Sequence, residues 1–339
     1  MARYKIKYFY SDFSVQEVCH LKYGKGSIKY YLLIKRGIRT VEAISKVALE
    51  MKIPEDHIRY AGLKDEDAVT MQYISIETDE IKNLRIEEGG TLVEIIYCGS
   101  GENHMKVGHL LGNSFKIRVR NVDNELARFI YSEKKSRISI LNYYGPQRFG
   151  LPSMPKCTHM IGKNILDKDY EAALLLIEKS GNIKEEKRKW TGNEADYFKN
   201  MPENNLNFYI SSWDSYLWNE QLKNIILEHC HVTEVCRQEG IDYLYGEFGS
   251  KLYNQLENVT MKHHKMVSNM EIEESEGKRY GYIDVNYIIS GLEMDDYFQG
   301  SSMMDIEFYV PSGVYATTVI DQLMWKKEKD FFRENRRKG

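Results

Sequence analysis

The chain has 339 residues, 42% hydrophobic and 29% charged, with 6 prolines and 24 glycines spread along it. This composition excludes collagen, a coiled coil and wholesale disorder, and it supplies apolar residues for one large domain or two ordinary ones. The net charge of −3 averages over opposed segments: residues 1–60 carry 12 Lys/Arg against 6 Asp/Glu, whereas 157–323 carry 15 against 28. Such segregation suits a protein with one face turned toward a polyanion, although a basic half that is merely solvated is the simpler account.

No run of 18 apolar residues is present and no apolar core follows the charged start Met1-Ala2-Arg3-Tyr4-Lys5, so a soluble, cytoplasmic protein with no membrane partner is expected. Five cysteines (Cys19, Cys98, Cys157, Cys230, Cys236) are scattered and odd in number, which points to reduced thiols.

In chain order, β-branched and aromatic residues predict a strand over 27–36. Val41, Ile44, Val47, Ala48 and Met51 then fall at helical spacing behind Thr40, a competent N-cap. Further strands are predicted over 68–76, 91–97 and 114–120. In the last of these Phe115, Ile117 and Val119 alternate with Lys116, Arg118 and Arg120, giving one apolar face and one cationic face. Asp123 caps a helix expected to reach about Ile140. After Gly150 the pattern turns helical (170–179, 213–228) and acidic until about Met303. Alternation returns over 305–310, before the turn Pro311-Ser312-Gly313. The chain thus reads as a core of 1–152 and 304–339 interrupted by an insertion, 153–303.

Two segments concentrate reactive side chains. Residues 61–72 join a short apolar strand to a long one through Lys64-Asp65-Glu66-Asp67, which by composition alone is a solvated turn. Asn142 to Gly150 combines two glycines, Gln147 and Arg148 with three aromatics: a turn able to stack bases and clamp phosphate, or simply a structural turn. His229-Cys230-His231, Cys236, His263 and His264 offer metal ligands in no standard zinc spacing. Lys187-Arg188-Lys189-Trp190 could touch nucleic acid or end an exposed helix.

Six segments, in order, resemble the TruD family of RNA pseudouridine synthases. They are Lys7 with Ser11-Asp12-Phe13-Ser14-Val15-Gln16-Glu17; Gly62-Leu63-Lys64-Asp65 through Gln72; Leu111-Gly112-Asn113-Ser114-Phe115; and Asn142 to Gly150. Ser215-Tyr216-Leu217-Trp218-Asn219 and Pro311-Ser312-Gly313-Val314-Tyr315-Ala316-Thr317 complete the set. The resemblance implies an α+β fold: a pseudouridine synthase core with a mixed, largely antiparallel sheet flanked by helices, plus an inserted α/β TRUD domain as the other wall of an RNA cleft. It implies a uridine-to-pseudouridine isomerase, an intramolecular transferase acting on RNA, with tRNA the leading substrate and neither metal nor organic cofactor required.

Under the same resemblance Asp65 is the catalytic carboxylate and Lys7 the cation that holds it ionised. Phe115 stacks on the extruded base, Asn113 hydrogen-bonds near Asp65, and Lys64, Gln147 and Arg148 contact substrate, with Glu17 an ion-pair partner in the core. Glu66 departs from the family, which commonly has a basic residue there. The competing reading is a catalytically inactive RNA-binding or chaperone protein on the same fold.

Overall fold

The computed structural model describes residues 4–106, 109–150, 154–180, 192–231, 233–268 and 270–338. In chain order the first elements are Phe13–Cys19 (β1), Ile28–Arg36 (β2), Thr40–Met51 (α1), Ile58–Tyr60 (β3), Val69–Glu77 (β4), Leu84–Glu88 (β5), Thr91–Gly101 (β6) and Leu110–Val122 (β7). Asn124–Ser132 (α2), Lys135–Leu141 (β8), Thr158–Leu166 (α3), Tyr170–Lys179 (α4), Glu194–Lys199 (α5) and Glu203–His229 (α6) follow. The remainder comprises Thr233–Gln238 (β9), Ile241–Gly246 (β10), Ser250–Leu256 (α7), Val259–Ser268 (β11), Glu271–Arg279 (β12), Tyr282–Met294 (β13), Ser302–Pro311 (β14) and Ala316–Lys338 (α8). The basic run at 187–190 lies outside the described residues.

The main sheet runs in the order β5-β6-β2-β4-β1-β7-β14-β13-β8, with β3 added beside β4. β1 and β4 are parallel, while β2–β4, β2–β6, β1–β7, β7–β14 and β13–β14 are antiparallel, so the sheet is mixed and largely antiparallel as expected. Helix α1 covers part of it by laying Ala43, Ile44, Val47, Ala48 and Met51 on Tyr31, Leu33, Ile74, Ile76, Val93 and Ile95. Each of the larger aliphatic side chains contributes about 1.5–3 kcal/mol on burial.

Contacts divide the chain into two compact units. One holds 139–284 and 317–323; the other holds the chain up to Ile138, 285–316 and the chain from Met324 on. The division thus falls at 138/139 and 284/285, whereas the composition shift pointed to 153 and 303. The acidic stretch before Met303 hides a strand: Val285, Tyr287 and Ile289 alternate into the buried face of β13. In the first unit, α3, α4 and α6 pack around Ile161, Ile165, Ile177, Leu206 and Ile210, beside the hairpins β9–β10 and β11–β12. No helix among the described residues is long and apolar enough to cross a membrane.

Three local expectations are corrected. Thr40 does not cap α1: Arg39 occupies the N-cap position without a side-chain cap, and the buried Thr40 hydroxyl is used elsewhere, as described below. Asp123 does cap α2, accepting from the N–H groups of Glu125 and Leu126, but the helix stops at Ser132. Lys134 then takes a left-handed φ of 50° and Ile138 and Ile140 resume a two-residue period in β8.

The cationic face of β7 is not open either. Carboxylates on β14 lie in register, Asp305 opposite Arg118 and Glu307 opposite Lys116. Arg118 donates through Nε and a terminal nitrogen to the two oxygens of Asp305 at 2.7 and 2.9 Å, and Lys116 reaches Glu307 at 3.1 Å. Arg120 is buried, because the segments that carry Asp12, Asp295 and Asp296 close over its guanidinium.

Candidate active site

The edge of β4 is shared. Residues 69–71 of β4 pair with β1, and residues 74–76 pair with β3. After Tyr60, therefore, the chain cannot continue along β4, because β1 already occupies that edge; residues 61–68 are displaced from the sheet as a loop carrying Lys64 and Asp65. At the handover the Tyr73 N–H donates to the Glu17 carboxylate at 3.0 Å.

Side chains from the surrounding elements pin the backbone of this loop. The Lys64 N–H donates to Thr40 Oγ1 at 3.0 Å, the Thr40 hydroxyl donates to Gln72 Oε1 at 3.1 Å, and Gln72 Nε2 donates to the Gly62 carbonyl at 3.1 Å. Lys35, fully buried on β2, donates from Nζ to the carbonyls of Asp65 at 2.6 Å, Ile38 at 2.9 Å and Lys64 at 3.3 Å. Burial pulls the Lys35 ammonium down to about 8, with the charges of Asp65 and Glu66 working in the other direction. Lys64 turns its own ammonium onto buried Glu17 at 2.6 Å, so this expected substrate contact is engaged with the protein, and Glu17 is the core ion-pair partner it was expected to be.

The Asp65 carboxylate is left facing Lys7, whose Nζ donates to Oδ2 at 2.6 Å. The pair is only part-buried, with side-chain exposures of 16% for Lys7 and 35% for Asp65, so a reactant can reach the carboxylate. Lys7 has a φ of 54°, a left-handed conformation that a β-carbon disfavours, and its Nζ lies 4.2 Å from the centre of the Phe13 ring. Phe13 meets Phe115 edge-on at 5.7 Å, and Phe115 stacks on Phe308 at 5.5 Å. Phe115 is 8% exposed, and Lys7 and Phe13 stand between it and Asp65. On the same strand, buried Asn113 Oδ1 receives no hydrogen bond among the described residues.

Lys7, Lys64, Asp65, Asn113 and Phe115 thus share the sheet unit. Gln147 and Arg148 belong to the other unit. There Arg148 donates to Ser215 Oγ at 3.1 Å and Ser211 Oγ at 2.7 Å and lies 5.2 Å from the Phe208 ring, while Gln147 is half-buried. The histidines and cysteines that could have held a metal are dispersed: His229 ends α6, Cys236 is on β9, and His264 on β11 is held by Asp214 at 2.6 Å. Lys35, Thr40 and Gln72 are the site residues that motif reading passed over or left without a role. The signal for Lys35 was its phase, since Tyr31, Leu33 and Lys35 occupy one face of β2 at a spacing of two.

The fold is similar to that in a crystal structure described as a tRNA pseudouridine synthase D (TruD) of Methanosarcina mazei. The two chains superpose with a TM-score of 0.60 at 19% identity, over 94% of this chain and 93% of that one. The model of tRNA pseudouridine synthase D (TruD) matches residues 3–195, more than half of the chain, and the chain belongs to that family. It is 39% identical over 173 residues to a tRNA pseudouridine synthase D relative from Pyrococcus abyssi, covering 50% of this chain and 41% of the relative. It is 26% identical over 397 aligned residues to the tRNA pseudouridine synthase D of Leptospira interrogans, covering 95% and 96%. The chain thus spans less than two thirds of the Pyrococcus abyssi relative, though nearly all of the Leptospira one.

Proposed function

We propose that this protein isomerises uridine to pseudouridine in RNA, with tRNA as substrate and Asp65 as the catalytic carboxylate. The observation that carries the reading is the Lys7–Asp65 pair: a carboxylate accessible to a reactant, held by one cation, on a loop whose backbone is fixed from behind. In the reaction the C1′–N1 bond breaks, the uracil turns and a C1′–C5 bond forms, while C5 loses a proton and N1 gains one. Atoms balance without water or hydride, so one carboxylate suffices, acting on C1′ or C6 as nucleophile or on the C2′ proton as base.

The other side chains divide the work of holding a base taken out of its stack. Asn113 Oδ1 is an acceptor waiting for a donor, and a uracil N–H or a ribose hydroxyl supplies one. The base packs on Phe115, which Phe13 and Phe308 back, and Arg148 and Gln147, in the other unit, bind RNA. Glu66, next to Asp65, keeps phosphate away from that corner by like charge.

The test is tritium release from unmodified tRNA transcribed with C5-tritiated uridine. Release in proportion to pseudouridine formed supports the reading. RNA binding without release across a full set of tRNAs would instead favour the inactive RNA-binding protein.

A further inference from the structure

The mechanism above uses the Asp65 carboxylate and leaves Lys35 unaccounted for. An ammonium has three N–H donors. On Lys35 all three are spent on backbone carbonyls: Ile38 between β2 and α1, and Lys64 and Asp65 in the loop. A buried lysine is costly unless its charge is answered, and here carbonyl dipoles rather than a hydrogen-bonded carboxylate receive its protons. Asp65 therefore carries a lysine at each end, Lys7 on its side chain and Lys35 on its carbonyl oxygen, both at 2.6 Å.

The loop at 61–68 has no ladder of its own to define Asp65, because β1 has taken the edge of β4. Rotation of the peptide that follows Asp65 would swing the Asp65 carbonyl away from Lys35 and re-aim the side chain relative to Lys7. We infer that Lys35 is a positioning residue for Asp65, its buried ammonium clamping the loop carbonyls so that the carboxylate is presented in one orientation before substrate arrives. This rests on the proposed isomerase reading, and the misplacement it guards against is of the kind that costs rate without costing affinity. The charged groups that act on Lys35 are the carboxylates of Asp65 and Glu66, which favour its protonated form, and the ammonium of Lys64, which opposes it.

The experiment compares wild type with Lys35→Met, which keeps the stem and removes the three donors, and Lys35→Arg, which restores charge and donors. Three quantities are measured: the single-turnover rate of pseudouridine formation on unmodified tRNA, the RNA dissociation constant, and amide hydrogen exchange over residues 62–66 without RNA. Lys35→Met is expected to lose on the order of 100-fold in rate with affinity within about threefold. Its loop amides should exchange faster, and Lys35→Arg should recover at least part of both effects. A folded Lys35→Met with loosened loop amides and an undiminished rate would overturn the inference, as would unchanged exchange with a rate lowered only in proportion to lost folded protein.

Should Lys35→Met fail to fold, the wild type alone answers. Loop exchange, corrected for its intrinsic pH dependence, and the single-turnover rate should both show a transition as the lysine deprotonates near pH 8. Absence of a loop transition between pH 7 and 9.5 would overturn the inference. A wild type that forms no pseudouridine while its loop still responds would overturn the isomerase reading, and with it any catalytic role for Lys35.

Discussion

Lys7 and Arg120, both in the sheet unit, meet carboxylates to different degrees, and the completeness of the answer separates chemistry from architecture. Lys7 meets one carboxylate, on Asp65, in a part-buried pair. Arg120, 3% exposed, meets three: Asp12 at 2.8 Å, Asp295 at 3.2 Å and Asp296 at 2.6 Å. Asp295 is further tied down. Burial works against its charge, yet the N–H groups of Phe298, Asn121 and Tyr297, with Arg120, hold its carboxyl below the usual range. Asp12 in turn accepts from the Phe9 N–H at 2.9 Å, so the Arg120 cluster fastens both the 9–12 segment and the 295–298 turn. Asp295, with both oxygens taken, has nothing left to give a reactant, and Asp12, 1% exposed, is out of a reactant's reach. Asp65, with one partner and an open side, is under neither limit.

The largest effect expected from this contrast falls on turnover. Asp65→Asn removes the charge while keeping the shape, and pseudouridine formation should drop by at least about 10³-fold, roughly 4 kcal/mol in the barrier. Because the carboxylate is part-exposed and its pair with Lys7 is single, the melting temperature should move little. Single-turnover tritium release and a thermal melt on the same preparation check both halves. Activity within tenfold of wild type would break the contrast by showing that the open carboxylate is not the reactive one.

Arg120→Met tests the other side, and here the effect should be on stability. Removing the guanidinium leaves Asp12 and Asp295 buried without their shared cation, a change that costs about 3–5 kcal/mol. Urea unfolding should show it as a lowered midpoint with an unchanged slope. Replacing Asp296, whose side chain is 70% exposed, should matter far less.

These two clusters also mark how far the sequence could be read. The strands expected over 27–36, 68–76, 91–97, 114–120 and 305–310 and the cap at Asp123 follow from alternation and residue type, the pairing of Lys7 with Asp65 from the family resemblance, and each is present. What was not legible depends on segments distant in the chain. Arg120 looked like one of three cations on the polar face of β7, but the 9–12 segment and the 295–298 turn bring three carboxylates over it and bury it. Thr40 read as a helix cap because Ser and Thr before a helical run usually serve there, whereas the loop that departs from β4 gives its hydroxyl a stronger claim. The role of Lys35 follows from which strand holds the β4 edge, a long-range fact that no local pattern encodes.

Arg118 lies between the two extremes and yields the smallest expected effect. Its guanidinium is about one third exposed and bidentate to Asp305, and that hydrogen bonding raises its affinity for its proton. Were it free and on phosphate, removing it would flatten the slope of log K against log salt for RNA binding by about 0.7–0.9. Already paired in the free protein, it has less to contribute, so Arg118→Ala should change the slope by less than about half of that. Asp305→Asn supplies the complement: releasing Arg118 from its partner should steepen the slope if the β7 face lies along RNA and leave it unchanged if it does not. A full-unit loss with Arg118→Ala alone would mean that RNA displaces Asp305, and that a single bidentate carboxylate, unlike the three around Arg120, does not withdraw an arginine from binding.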